Sequence, residues 1–128
     1  MILVVEDDAT LRQLLTEHLE SQGYRVQTAS DGAEAYARLR QKECKGLVLD
    51  FHMPGLNGAE LLMLMAAEGS PLPVLVTTAD HDFDEAEMKQ FPNVRKLLYK
   101  PLIPEDVLEA VSQYIEKPCS GLPSSSRS

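Results

Sequence analysis

Ile2-Leu3-Val4-Val5-Glu6-Asp7-Asp8 sets four consecutive aliphatic residues directly before three acids. An unbroken aliphatic run of this length reads as a strand covered on both faces, as in a parallel sheet. The pattern of an apolar run meeting a polar residue recurs along the chain. Gly46–Leu49 is followed by Asp50, Val74–Thr77 by Thr78, and Val94–Tyr99 by Lys100. A further run, Tyr24–Thr28, leads into Ser30-Asp31-Gly32, which reads as a turn and helix cap.

Amphipathic stretches separate these runs. Leu11, Leu14, Leu15 and Leu19 recur at helical spacing, and Gly23 fits a helix stop. A second helix is predicted from Ser30-Asp31, with Ala33, Tyr36 and Leu39 on its inner side. A third runs from about Gly58 to Glu68, and a weaker, more polar one spans about Asp82–Gln90. The last begins at Pro104, a residue suited to a first helical turn, and buries Val107, Leu108, Val111 and Ile115. Five strands alternating with five helices predict an α/β fold: a parallel sheet with helices on both faces. From Pro118 the composition turns to Cys-Ser-Gly-Leu-Pro-Ser-Ser-Ser-Arg-Ser, so residues 1–117 are expected to form one domain and 118–128 a flexible tail or linker stump.

Composition narrows the function. Of 128 residues 44% are hydrophobic, sufficient for one packed core. With 12 basic and 20 acidic side chains the formal charge is −8, which disfavours non-specific nucleic-acid binding. No apolar run approaches the roughly 18 residues of a membrane helix, and Met1 leads into Ile2 without the basic segment of a signal peptide. Cys44 and Cys119 are too few for a disulfide framework and read as free thiols of a reducing, cytoplasmic compartment.

Open α/β sheets bind ligands beyond the carboxyl ends of their strands, where strand order reverses. With order 2-1-3-4-5 that point lies between the first and third strands, which brings Glu6, Asp7 and Asp8 beside Asp50. Crowded carboxylates repel, and one takes up a proton unless a cation is present. Several oxygen ligands with room for water suit Mg²⁺, which commonly bridges carboxylates to a phosphate. Lys100 adds a fixed positive charge and Thr78 a hydroxyl donor. A carboxylate can itself be the nucleophile toward a phosphoryl group.

Four segments carry a resemblance: Ile2 to Asp8, Asp50-Phe-His-Met53-Pro54-Gly-Leu-Asn-Gly58, Val-Thr-Thr78-Ala79 and Tyr-Lys100-Pro101. In order and interval they resemble the signature segments of response-regulator receiver domains, over roughly residues 2–117. The resemblance implies a single doubly wound, flavodoxin-like (βα)5 domain. It implies Asp50 as phosphoacceptor, Thr78 and Lys100 at the phosphoryl group, and Mg²⁺ held by Asp7, Asp50, the backbone carbonyl of His52 and, through water, Glu6. It implies a cis Lys100-Pro101 bond and a phosphohistidine donor in a histidine kinase or histidine phosphotransfer protein. On that reading the chain is a signalling domain rather than an enzyme, although it promotes its own phosphorylation and dephosphorylation. Asp8 is expected to cap the first helix.

Three positions depart from the family pattern. Leu97 stands where an aromatic residue usually lies, Asn93-Val94 where Gly-Ala is frequent, and Ile103 where Ser or Thr caps the last helix. The acidic Glu105, Asp106 and Glu109 oppose the usual dimer face, so the isolated domain is expected to be a monomer. Two other functions compete. A receiver-like interaction module without phosphate chemistry would be free to lose one of Asp7, Asp50, Thr78 and Lys100, and all four are present. A haloacid-dehalogenase-like phosphohydrolase needs an acid two residues after its nucleophile, where this chain has His52.

Overall fold

The computed structural model describes residues 1–40, 43–52 and 57–115. Among the described residues five parallel strands form one sheet, β1 (Ile2–Val5), β2 (Val26–Ala29), β3 (Gly46–Asp50), β4 (Val74–Thr78) and β5 (Val94–Tyr99), in the order β2-β1-β3-β4-β5. The expected α/β fold and strand order are therefore both present. Five helices link and follow them: α1 (Ala9–Ser21), α2 (Gly32–Leu39), α3 (Gly58–Ala67), α4 (Glu85–Met88) and α5 (Pro104–Tyr114).

Side chains alternate across the sheet and build two cores. Leu3, Val5, Leu47, Leu49 and Val76 pack with Ala35, Leu61, Leu62, Met65 and Phe83 on one face. Ile2, Val4, Val48 and Leu75 pack with Leu15, Leu19, Val107, Ala110, Val111 and Ile115 on the other. Burial on both faces is why β1, β3 and β4 read as unbroken apolar runs.

Several boundaries differ from the sequence reading. β2 begins at Val26, because the Tyr24 amide closes α1 by donating to Leu19 O (3.2 Å) beside Gly23, whose φ of +92° suits glycine. Tyr24 is nevertheless buried in the core under α1 and α5. β3 and β4 each run one residue further, so Asp50 and Thr78 are the last residues of their strands. In α2 the buried residues are Gly32 and Ala35, and Ala33 is exposed. Two residues apart is about 200° on a helix, so Ala33 and Ala35 cannot share a face. Leu14 is 37% exposed at the rim of α1, while Leu15 and Leu19 carry the contact. α4 is a single turn started by Asp84, which accepts from the Glu87 amide.

Candidate functional site

Register assembles the site. β1 and β3 pair with Val5 opposite Leu49, so Glu6 leaves β1 beside Asp50 at the end of β3. β3 pairs with β4 at Asp50–Thr77, and β4 with β5 at Thr78–Tyr99. Lys100 follows β5 with its amide donating to Thr78 O (2.7 Å), and the Lys100-Pro101 bond is cis. The ammonium turns back across the strand ends, reaching Glu6 Oε1 at 3.0 Å and Asp50 Oδ2 at 3.1 Å.

The loop after β1 is closely tied. Asp8 caps α1, its Oδ1 accepting from the Leu11 amide at 3.1 Å, as the sequence leads one to expect. The Asp8 amide donates to Glu6 Oε2 (3.1 Å). Asp50 Oδ1 accepts from the His52 amide at 3.2 Å. Carboxylate oxygens of Glu6, Asp7 and Asp50 all lie within 4.8 Å of one another. Glu6 and Asp50 are 1% and 4% exposed, and Asp7 is open to solvent.

Burial and charge decide protonation. Burial, with the Asp50 charge adding to it, pushes Glu6 up to about 7, against the pull of the Asp8 amide and Lys100. Asp50 is also raised by burial and by neighbouring Asp7, with Lys100 and the His52 amide opposing. Burial acts to lower Lys100, but Glu6 and Asp50 outweigh it and hold the ammonium above its usual value. One lysine thus balances three acids, and the pocket has a deficit of positive charge. An all-oxygen set of this kind can hold a small hard cation.

The remaining candidates take different places. Thr78 is fully buried, and its Oγ1 accepts from the Asp80 amide at 3.0 Å. His52 is exposed, with Nε2 3.7 Å from Asp80 Oδ2. Met53, Pro54 and Cys119 lie outside the described residues, and Cys44 is a buried free thiol. Arg12 was not singled out by the sequence, yet its Nη1 donates to the Glu6 carbonyl at 2.7 Å. The available signal was a cation four residues beyond a run of three acids. No helix among the described residues is long and apolar enough to cross a membrane.

A doubly wound five-stranded sheet with a cation-seeking acidic pocket and a bridging lysine at its strand-order reversal defines a flavodoxin-like ligand-binding domain. The family profile of the response regulator receiver domain matches residues 2–112, and the chain belongs to that family. It is similar to response regulator MprA of Mycobacterium leprae (strain TN), 33% identical over 116 residues that cover 91% of this chain and 51% of that protein. MprA of Mycobacterium ulcerans (strain Agy99) is 36% identical over 107 residues, 84% of this chain and 46% of that protein. The chain thus spans about half the length of the curated relatives it matches. Among solved structures, a response regulator receiver protein from Pseudomonas putida aligns with a TM-score of 0.79 and 31% identity, covering 88% of this chain and 94% of that one. The response regulator TrrA of Thermotoga maritima, solved in complex with Mg²⁺-BeF, aligns with a TM-score of 0.78 and 26% identity, covering 88% and 96%. The chain is a receiver domain of two-component response regulators.

Proposed function

We propose that Asp50 accepts a phosphoryl group from a phosphohistidine donor in a Mg²⁺-dependent reaction. The observation that carries this reading is the buried Asp50 carboxylate, bridged by Lys100 to Glu6 with Asp7 beside them. The donor set fits Mg²⁺: it is all oxygen, it is short of positive charge, and Asp7 opens it to solvent water. Asp7, Asp50 and the His52 backbone carbonyl would hold the ion, with Glu6 reaching it through water. When bound, Mg²⁺ supplies charge neutralisation to the phosphoryl oxygens.

The chain's own groups do the rest. An Asp50 carboxylate oxygen attacks phosphorus while the donor's P–N bond breaks, the electron pair staying with the imidazole, which gains a proton. Lys100, already in contact with Asp50, neutralises charge on the incoming group. The Thr78 hydroxyl, at the end of the adjacent strand, turns from the Asp80 amide to the phosphoryl oxygen. This turning is the switch, and partners read it at the surface. The partner is a histidine kinase or a histidine phosphotransfer protein, and the isolated domain, residues 1–117, is a cytoplasmic monomer.

The test is incubation with acetyl phosphate. The intact mass should rise by one phosphoryl group with Mg²⁺ and stay unchanged with chelator. A phosphoryl gain that persists in chelator would refute the reading.

A further inference from the structure

We propose that Arg12 is a positioning residue for the metal-binding acids, fixing the main chain on both sides of Asp7. The proposal rests on the reading of the acidic pocket as a Mg²⁺ site. Arg12 lies in the first turn of α1, and the only acidic residue capping that helix is Asp8. Helix electrostatics does not explain a cation there, because the positive end of the macrodipole disfavours it. What the side chain touches does explain it. Arg12 Nη1 donates to the Glu6 carbonyl at 2.7 Å and, at a long 3.5 Å, to the Asp7 carbonyl.

Those two carbonyls belong to the two peptide planes that flank the Asp7 Cα atom. The Glu6–Asp7 plane is held at its carbonyl by Arg12. The Asp7–Asp8 plane is held at its carbonyl by Arg12 and at its amide by Glu6 Oε2, 3.1 Å away. With both planes tied, φ and ψ of Asp7 have little freedom, and these set the direction of Cβ. Asp7 is the exposed member of the trio, and its side chain meets Asp50, another of the acids, rather than the core. The backbone sets where that side chain starts from, and Arg12 reaches from the helix to fix it there. Groups outside the immediate ligands of a metal characteristically change its affinity by 10–100-fold.

Mg²⁺ affinity is measured by calorimetry on the full chain, wild type against Arg12→Met and Arg12→Lys. Amide exchange at Asp7, Asp8 and Ala9 is followed by NMR in the metal-free proteins. Arg12→Met should bind Mg²⁺ about tenfold more weakly and exchange those amides faster. Arg12→Lys, which keeps the charge and one donor, should fall between Met and wild type, and it carries the test if Arg12→Met does not fold. A guanidinium acting only as a charge predicts the reverse, tighter Mg²⁺ in Arg12→Met, because a repelling cation has gone. Tighter or unchanged binding in Arg12→Met, or unchanged exchange, would overturn the proposal. Failure of the wild type to bind Mg²⁺ would instead overturn the reading of the pocket on which it rests.

Discussion

Replacing Glu6 with glutamine removes one negative charge from a buried pocket that has too many, and should stabilise the metal-free protein above neutral pH. Glu6 is 1% exposed, and burial lifts its carboxyl from 4.5 to about 7. Because the folded value is the higher one, the folded state keeps a proton that the unfolded chain loses between pH 4.5 and 7. Stability therefore falls as pH rises through that window, by on the order of 3 kcal/mol at most. Below pH 4.5 both states are protonated and the penalty vanishes. Glutamine resembles the protonated acid, and Lys100 retains its contact with Asp50. Glu6→Gln should thus gain about 1–3 kcal/mol over wild type at pH 8 and nearly nothing at pH 4.5. Each kcal/mol corresponds to about 4 °C for a domain of this size. Urea melts of both proteins in chelator at the two pH values provide the assay. Saturating Mg²⁺ at pH 8 should narrow the gap, since the wild type then gains a cation for its carboxylate. A loss of stability at pH 8, or a gain equal at both pH values, would refute the reasoning.

Other outcomes follow from the same geometry. Asp7→Ala should weaken Mg²⁺ more than Glu6→Ala in calorimetric titrations, because the proposed ligand set would lose a direct oxygen ligand rather than a water-mediated one; equal affinities would contradict the ranking. Leu97, half-buried against the core, should keep its rotamer between metal-free and Mg²⁺-beryllofluoride crystals. Leucine has no polar tip to make an exposed state competitive. Ile103→Ser should raise thermal stability by about 1 kcal/mol, since α5 starts without a side-chain cap and Ile103 is 56% exposed.

The strands and the pocket were legible in the sequence because both depend on local patterns. Aliphatic runs buried on two faces announce β1, β3 and β4, and strand order alone brings residues at their ends together. Glu6, Asp7, Asp50 and Lys100 could therefore be grouped before any distance was known. Less was visible where tertiary contacts decide the outcome. Tyr24 looks like a strand residue, but its amide is needed to close α1. Ala33 and Ala35 are chemically identical, and only docking against the sheet selects Ala35. Asn93 reads as a departure from the family pattern. In the fold it is buried, and its Nδ2 donates to Ser70 O and Leu72 O at 2.8 and 2.9 Å, tying down the chain before β4. Thr78 was correctly placed at a strand end, but its bond to the Asp80 amide depends on the course of the following loop. Arg12 stood four residues beyond the three acids, but its partners are backbone carbonyls, which residue types do not identify.

The central claim is that the phosphoryl group is carried by Asp50, and borohydride trapping tests it most directly. Borohydride reduces an acyl phosphate to an alcohol, so a phosphorylated aspartate is recovered as homoserine in peptide mass spectra. After treatment with acetyl phosphate and Mg²⁺, homoserine should be found at position 50 and at no other acidic residue, and Asp50→Asn should yield none. Homoserine at Asp7, Asp8 or any other aspartate, or undiminished phosphoryl uptake in Asp50→Asn, would contradict the account.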